Sequence, residues 1–257
     1  LRASGGKIYF QKYKIGIPEN PVGVIGETDK TGTVTRFYPD DSIFETLNFS
    51  FEILSNRREE LAFLNKGIRI SITDERLPQI KENIFQFEGG VKSFIEYLNK
   101  NKTPLQKEPI YLEGRKDDVE VEIAFEYNDG YLENIFAFVN NINTREGGTH
   151  LVGFKAALTR VFNEFLKKSK FSKKIEESLT GEDVREGITA VVSVKVPEPQ
   201  FEGQTKGKLG NSEVKGIVES LVNEHLTSYF EENPAVLDKI LEKTVLAAKA
   251  RDAARKA

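Results

Sequence analysis

In the stretch VEVEIAFE, residues 119–126, apolar residues alternate with residues that are mostly acidic. A period of two places the Val, Ile and Phe side chains on one face of a strand and the Glu side chains on the other. The turn sequence Asn-Asp-Gly follows at residues 128–130, and an apolar segment follows at residues 134–139. The order strand, turn, strand predicts a β-hairpin.

An amphipathic helix is predicted over residues 151–168, where apolar residues recur at steps of three and four. They form one continuous stripe: Leu151, Phe154, Leu158, Val161 and Phe165. A Val-rich strand over residues 188–196 ends at Pro197. Two further helices are predicted over residues 212–230 and 234–257, and the second has no large apolar residue after Leu246. We therefore expect its end to bridge to a further domain.

The N-terminal part of the chain has the pattern of several strands and one helix. Its predicted elements are strands over residues 7–15 and 32–38, a helix over residues 57–65 that ends at Lys66-Gly67, and a strand beginning at Ile68. Gly89-Gly90 marks a boundary, after which a short helix is predicted over residues 91–100. The architecture predicted is α+β, with two units in series over residues 1–88 and 89–257.

Composition excludes several classes of protein. The 257 residues, of 29.0 kDa, are 39% hydrophobic and 30% charged, which is typical of a globular chain. No apolar run reaches the ~18 residues of a membrane span, and no secretory signal is visible. The absence of Cys excludes disulfides, thiolate metal sites and a Cys nucleophile, and two His residues exclude a His-rich zinc centre. The net charge of −3 excludes a uniformly basic nucleic-acid binder. The absence of Met predicts that the sequence is an internal segment of a longer protein.

Two Gly-rich motifs are candidates for binding sites. The first motif, GETDKTGT at residues 26–33, predicts either a polar turn or a nucleotide pocket. In the pocket, a hydroxyl at the start of a strand would bind the edge of a base. The motif is not a P-loop, because it lacks the Gly-Lys-Ser/Thr ending. The second, TREGGTH at residues 144–150, runs into a helix, whose N-terminus can bind an anion. His150 is either a base or a structural cap, and no partner stands at a recognisable offset. The scattered carboxylates predict no catalytic pair.

A third motif, QTK at residues 204–206, lies in a Gly- and Pro-rich segment over residues 197–210. The segment is either a solvated linker or a mobile loop that offers an ammonium and an amide to a phosphate. Positive charge is also concentrated between Arg145 and Lys174, where eight basic residues face two acidic ones. This region is either a DNA-backbone-contacting face or an ordinary charged helix end.

Together these segments resemble the B subunit of bacterial DNA gyrase and the related E subunit of topoisomerase IV, in order and over nearly the whole chain. The matching stretches are GETDKTGT (26–33), EELAFLN (59–65), EGG (88–90), YLNKNKTP (97–104), EGGTHL (146–151), REGITAVVSVK (185–195), QTK (204–206) and residues 247–255. The resemblance implies the C-terminal half of a GHKL-type ATPase α/β sandwich at residues 1–88. It implies a ribosomal-S5-like transducer domain with a long C-terminal helix at residues 89–257.

The resemblance also implies a function. In this family, ATP binding dimerises two B subunits, and hydrolysis drives DNA strand passage and negative supercoiling. The implied cofactors are ATP and Mg²⁺, the implied partners are DNA and a gyrase A-type subunit in an A2B2 assembly, with no membrane, and the implied location is the bacterial cytoplasm at the nucleoid. Two alternatives stay open: the E subunit of a topoisomerase IV that decatenates and relaxes DNA, and a non-enzymatic S5-like nucleic-acid-binding module.

Site residues follow from the same resemblance. Lys206 matches the lysine that reaches the ATP γ-phosphate, and Gln204 matches the glutamine of that loop. Thr33, with Gly32, matches the segment beside the adenine. Lys155 falls where a DNA-cavity arginine is usual, and Arg160 belongs to the same basic region.

The family's catalytic glutamate and Mg²⁺-binding asparagine match no position in this sequence. The resemblance therefore implies no catalytic residue and no metal ligand here, and we expect the chain alone not to hydrolyse ATP. A pocket arginine of the family aligns with Ser4, while Arg2 stands two residues away.

Overall fold

The computed structural model describes residues 1–76, 78–175 and 177–256. Residues 1–50 form one unit and residues 51–257 form another. Residues 51–88 therefore pack with the second unit, while the domain limits 1–88 and 89–257 stay a prediction. In the described part of the chain, no helix has both the length and the apolarity that crossing a bilayer requires.

The first unit consists of short strands. They are β1 (Arg2–Ser4), β2 (Lys7–Phe10), β3 (Tyr13–Lys14), β4 (Ile17–Pro18), β5 (Gly23–Glu27) and β6 (Gly32–Thr33). An antiparallel sheet has the order β5-β2-β1-β6, and β3 pairs with β4. The predicted strand over residues 7–15 is thus split into β2 and β3.

The predicted strand over residues 32–38 is shorter than expected. β1 pairs only with Gly32 and Thr33, and the Val34 N–H then donates to the Leu1 carbonyl at 2.8 Å. Residues 35–38 have no strand partner, so the β-favouring residues there do not form a ladder.

The second unit contains six helices and nine strands among its described residues. The helices are α1 (Phe51–Leu64), α2 (Val91–Leu98), α3 (Thr149–Lys168), α4 (Gly181–Arg185), α5 (Ser212–Glu232) and α6 (Pro234–Lys256). The strands are β7 (Ile70–Asp74), β8 (Lys81–Phe85), β9 (Ile110–Lys116), β10 (Val119–Tyr127), β11 (Asn134–Val139), β12 (Ile142–Asn143), β13 (Ile188–Lys195), β14 (Phe201–Glu202) and β15 (Lys208–Leu209). The predicted α+β class is confirmed.

The predicted hairpin between β10 and β11 is wrong. The main sheet has the order β12-β11-β13-β10-β9, so β13 lies between them, antiparallel to β10 and parallel to β11. Residues 188–194 of β13 are all buried, as expected for a central strand. The true hairpin joins β9 to β10 through Asp117 and Asp118, whose φ angles of 49° and 63° fit a type I′ turn.

Both faces of the main sheet are covered. One face of β10, with Ile123 and Phe125, packs in the core that contains α3, α5 and α6. The opposite face, with Ala124 and Phe138, packs against Phe94 of α2 and the end of α1. On this face of β10, Glu126 is buried and Glu122 is half-buried, so the Glu residues of the predicted alternation are not all solvated.

Two helices that position the site lie closely together. α3 begins at Thr149, two residues before the predicted start, and its apolar stripe is confirmed. A Cβ atom at Gly153 would lie only 2.5 Å from the Lys215 carbonyl oxygen of α5, so the absent side chain permits this approach. The end of α6 is packed further than predicted, because Ala248 is buried and Arg251 Nε donates to Asp183 Oδ1 at 3.0 Å.

Candidate functional site

The QTK motif lies at the tip of a β-hairpin. Glu202 of β14 pairs with Lys208 of β15, which leaves a five-residue loop over residues 203–207. Gly203 and Lys206 have φ angles of 78° and 54°, and the Lys206 N–H donates to the Gly203 carbonyl at 3.3 Å. The segment predicted as a linker or mobile loop therefore contains a turn, in which Lys206 has a left-handed conformation that few non-Gly residues adopt.

The Lys206 ammonium is exposed and available to an anion. Its Nζ lies 5.8 Å from the ring centroid of Phe201, a weak cation–π contact that leaves the donors in solvent. Lys208 pairs with Glu202 at 3.2 Å, whereas Lys206 has no carboxylate at ion-pair distance among the described residues. Gln204 is exposed on the same loop. The tip thus presents one uncompensated cation and one amide.

The base of the hairpin is bonded to the second Gly-rich motif. The Glu146 N–H donates to the Gly207 carbonyl at 3.0 Å, and the Leu209 N–H donates to the Gly147 carbonyl at 3.2 Å. Gly148 forms a parallel bridge with Leu209. We call residues 146–148 together with residues 207–209 the hairpin seam. Two motifs that the sequence presents separately are therefore adjacent in the structure.

Gly148 is required at the hairpin seam for two reasons. Its φ angle of 138° lies in a region that side chains rarely adopt. A Cβ atom there would also lie 2.5 Å from the Leu209 backbone nitrogen. α3 begins at the next residue, Thr149. The start of α3 is therefore held directly against the hairpin.

The surroundings of His150 favour a structural role over a catalytic one. It is fully buried, and its Nε2 lies 3.2 Å from Thr144 Oγ1, while its Nδ1 has no partner in the described structure. Burial lowers the pKa of His150 to about 4, so the ring is neutral at pH 7. No side chain caps the start of α3, so His150 is not a helix cap either. Its position favours holding the turn over residues 144–148, not acting as a base.

A cationic groove of about 560 Å³ runs along one face of α3. It is lined by Val152, Lys155, Ala156, Thr159, Arg160, Asn163 and Arg185. The structure brings together the two predicted DNA-cavity residues, Lys155 and Arg160. Arg185 also lines the groove, but it was not predicted as a site residue. Its basic charge at the start of the REGITAVVSVK match is a sequence feature that could have indicated it.

Each cation of the groove is paired with a carboxylate. Glu133 accepts from Lys155 Nζ at 2.5 Å and from Arg185 Nε at 2.8 Å, and Arg160 pairs with Glu219. Burial tends to raise the pKa of Glu133, but the hydrogen bonds from both cations outweigh it and hold that pKa below its usual value. A phosphate entering the groove would compete with these carboxylates.

The first Gly-rich motif forms a turn in the first unit. The Thr28 N–H donates to the Gly6 carbonyl at 3.1 Å, and Thr28 Oγ1 accepts from the Lys30 N–H at 3.1 Å. Gly32 and Thr33 follow as β6, and both are exposed. Arg2 lies opposite Thr33 in the ladder.

Among residues 1–76, 78–175 and 177–256, no three His, Asp or Glu side chains come together in a way that could hold a metal ion. We assign no metal ligand among these residues.

Comparison with known proteins identifies the family. A family model described as DNA gyrase B matches residues 90–257. The DNA gyrase B subunit of Treponema pallidum (strain Nichols) is 59% identical over 256 residues, which cover 98% of this chain and 40% of the relative. That of Bacillus mycoides is 53% identical over 253 residues, which cover 98% of this chain and 62% of the relative. The chain thus spans less than two thirds of these relatives.

Solved structures support the same assignment. The 43K ATPase domain of Thermus thermophilus gyrase B, in complex with an aminocoumarin, is 39% identical with a TM-score of 0.84, covering 99% of this chain and 69% of that chain. The topoisomerase IV ATP-binding domain of Francisella tularensis is 28% identical with a TM-score of 0.82, covering 97% and 68%. These neighbours confirm the predicted fold class as a mixed helix and sheet chain related to GHKL-type ATPase domains. The chain therefore belongs to the DNA gyrase B family.

Proposed function

We propose that this chain is the part of a gyrase B subunit that couples the nucleotide state to DNA strand passage and negative supercoiling. One observation carries the proposal: an exposed, uncompensated Lys206 stands on a hairpin that is bonded to the start of α3, and α3 lines a cationic groove. Nucleotide contact and DNA contact would thus reside in one connected structure. The whole subunit would be an ATP-hydrolysing topoisomerase.

The proposed nucleotide contacts follow from the chemistry of the exposed side chains. The Lys206 ammonium offers three donors, and the Gln204 amide offers two more, which suits the γ-phosphate. Thr33, with Gly32 beside it, is assigned to the adenine. A Lys206 contact with the γ-phosphate would exist only while the triphosphate is intact, so it would favour one conformation in the ATP state alone.

The proposed DNA contacts lie in the groove of α3. Lys155 and Arg160 are assigned to duplex phosphates, and Arg185 is added because it lines the same groove. Lys155 replaces an arginine of the family, which keeps the charge and loses the planar fork. A DNA phosphate would have to displace Glu133 or Glu219 to reach these cations.

The remaining assignments concern the whole protein. ATP and Mg²⁺ would be used by the complete subunit, with DNA and a gyrase A-type subunit as partners, in an A2B2 assembly in the bacterial cytoplasm at the nucleoid. ATP would also dimerise the B subunits. We expect residues 1–257 alone to show no ATP hydrolysis, which a phosphate-release assay on the purified chain tests.

Supercoiling by the full-length subunit with its A-type partner tests the proposal. Lys206→Ala should reduce ATP-dependent supercoiling by more than tenfold, because the ammonium that senses the γ-phosphate is lost. Lys208→Ala is the matched control, since Lys208 is already paired with Glu202 and should tolerate the change. Wild-type supercoiling by Lys206→Ala would refute the assignment. Decatenation without supercoiling by the unaltered protein would identify topoisomerase IV.

The DNA assignment has its own test in the same assay. Lys155→Glu should weaken strand passage because a carboxylate repels the phosphate backbone, whereas Lys155→Arg should preserve it. Equal passage rates for Lys155→Glu and the unaltered protein across a salt series would contradict this role.

A further inference from the structure

A second cavity, of about 700 Å³, lies in the second unit between the end of α1 and the main sheet. Its floor is the face of β9, β10 and β13 that is opposite to the core containing α3 and α5. Ile68 is 51% exposed and Tyr111 is 37% exposed, and both line the cavity, so apolar surface faces its interior. We call this cavity the sheet cleft. Its volume lies within the range of about 300–1,000 Å³ that is usual for ligand sites.

One row of polar side chains crosses the floor of the sheet cleft. Glu122 of β10 lies directly opposite Glu113 of β9 on one side and Ser193 of β13 on the other. Neighbouring strands are about 4.8 Å apart, so the row is roughly 10 Å long. Like charges at directly opposite positions destabilise a sheet. The pair Glu113 and Glu122 is therefore a local cost to the fold that packing does not explain.

The two carboxylates of this row have no cation at ion-pair distance in the described part of the chain. They share the Tyr111 hydroxyl, which lies 2.7 Å from Glu113 Oε2 and 3.1 Å from Glu122 Oε1. A hydroxyl has a single hydrogen, so it donates to only one of the two carboxylates at a time. Burial raises the pKa of Glu122, and the charge of Glu113 contributes to the same shift. One carboxylate is therefore left without a hydrogen-bond donor from the described residues.

Ser193 gives an independent indication of a ligand. It is only 6% exposed and lines the sheet cleft, yet its hydroxyl makes no hydrogen bond to any described residue. Buried polar side chains in folded proteins nearly always have a hydrogen-bond partner. The partner of this hydroxyl is therefore a group that occupies the sheet cleft.

Two of the three basic side chains that line the sheet cleft in the described structure are already paired. Lys195 binds Glu120 at 2.9 Å, and Arg115 binds Asp118 at 2.7 Å. The third, Lys66, is exposed and lies beyond ion-pair distance of the polar row. An incoming cation therefore meets two unpaired carboxylates against one unpaired lysine.

We propose that the sheet cleft binds a small organic cation, with an ammonium group over Glu122 and an apolar body against Tyr111 and Ile68. An ammonium has three donors, which serve the Glu122 carboxylate and the Ser193 hydroxyl while the charge of Glu113 lies nearby. The apolar wall favours an organic amine over a metal ion, and no three acidic or His side chains converge in the described residues as a metal would require. The site goes beyond the proposed function, since its lining shares no residue with the QTK hairpin or the cationic groove.

Binding of 2-phenylethylamine to the full-length subunit tests the proposal, with 2-phenylethanol as the neutral analogue of the same shape. Saturation-transfer NMR and calorimetry are run without nucleotide and without DNA, so the result does not depend on the proposed function. We expect the amine to bind with a millimolar dissociation constant and the alcohol to bind about fivefold more weakly or worse. Equal binding of both compounds, or no binding of the amine, would overturn the proposal.

Two variants assign the binding to the sheet cleft. Glu122→Gln keeps an acceptor for the Tyr111 hydroxyl but removes the charge, and it should weaken amine binding about fivefold or more. Ser193→Ala should weaken it roughly two- to tenfold through the loss of one hydrogen bond. Glu164→Gln is the control, because it removes an exposed carboxylate that does not line the cleft. Undiminished binding by Glu122→Gln, or an equal loss in Glu164→Gln, would overturn the proposal.

A crystal structure with 2-(4-bromophenyl)ethylamine locates the ligand on the unaltered protein, and so stays decisive if a variant does not fold. The anomalous signal of the bromine should place the ring beside Tyr111 and Ile68, with the amine nitrogen at hydrogen-bond distance from Glu122. Bromine bound elsewhere in the protein, with none in the sheet cleft, would overturn the proposal.

Discussion

The buried His150 makes stability depend on pH in a way that can be calculated. Its pKa is lowered by burial from 6.5 to about 4. Between these values the unfolded chain binds a proton that the folded chain does not, so the folded state loses stability as the pH falls. The contribution of neutral His150 to the free energy of unfolding is fully present above pH 6.5, and it is lost as the pH falls to about 4.

The shift of roughly 2.5 pKa units corresponds to about 3 kcal/mol once both states are protonated, at 1.36 kcal/mol per unit. Linkage over the narrower interval from pH 7 to pH 5 gives a loss of about 2 kcal/mol from this group. Glu122 and Glu126 affect the pH dependence of stability in the opposite direction. Burial raises the pKa of each, so their contribution to the free energy of unfolding grows as the pH falls. The effect of His150 must therefore be measured as a difference between two proteins.

His150→Gln supplies that difference, because its amide can still hydrogen-bond to Thr144 but cannot titrate in this range. Urea unfolding of residues 1–257 is measured at half-unit steps from pH 7.5 to pH 5. We expect the unfolding free energy of the unaltered chain to fall by about 2 kcal/mol more than that of the variant. Parallel pH profiles for the two proteins would refute the reasoning. NMR titration is a direct check, since the chain has only two histidines.

Three further predictions concern packing, the groove and a buried network. Gly153→Ala should lower the unfolding free energy by about 1–3 kcal/mol in urea, because the new Cβ would lie 2.5 Å from a carbonyl oxygen of α5; an unchanged midpoint would contradict this packing. Glu133→Gln should tighten binding of a fluorescent DNA duplex by roughly two- to tenfold at low salt, because it frees two groove cations. Glu164→Gln, which removes an exposed carboxylate outside the groove lining, is the control, and equal gains for both variants would refute a specific role. Asn99→Ala should cost about 1–3 kcal/mol at pH 7, because the buried Glu126 carboxylate loses a 2.7 Å donor. The cost should shrink as Glu126 becomes protonated at lower pH, and a cost that is constant with pH would count against the network.

Local periodicity predicted the elements that pack against one another. The apolar residues of the alternation over residues 119–126 and of the stripe over residues 151–165 all lie in or against the core, because burial imposes these periods directly on the sequence. Boundaries were less predictable. α1 begins at Phe51, six residues before the expected start, since its first turns are held by packing that the local pattern does not reveal.

Strand order could not be obtained from neighbouring residues. Asn128, Asp129 and Gly130 do form a turn, in which the Gly130 N–H donates to Asn128 Oδ1 at 2.9 Å. Nothing in that turn shows that β13, some 60 residues later, occupies the position between the strands it connects. Hairpin chemistry specifies a change of direction, and the partner of each strand is decided by burial of the whole sheet.

The candidate site was predictable as separate residues and not as an arrangement. Lys206 and Lys155 were predicted as site residues from the resemblance to a known family, but the hairpin seam depends on contacts between loops that are distant in the chain. Glu133 lies in none of the motifs, and it pairs with partners 22 and 52 residues away. Charge pairing of this kind becomes visible only when the fold brings the side chains together.

If Lys206 binds the γ-phosphate, as we propose, then it distinguishes a triphosphate from a diphosphate, and nucleotide affinities measure this difference directly. Dissociation constants for ADP and for a non-hydrolysable ATP analogue are measured on the full-length protein and on Lys206→Ala. A charge-assisted hydrogen bond of about 1.5–3 kcal/mol predicts that the variant binds the analogue roughly ten- to hundredfold more weakly, with ADP affinity unchanged. An equal change for both nucleotides, or no change for either, would contradict the account.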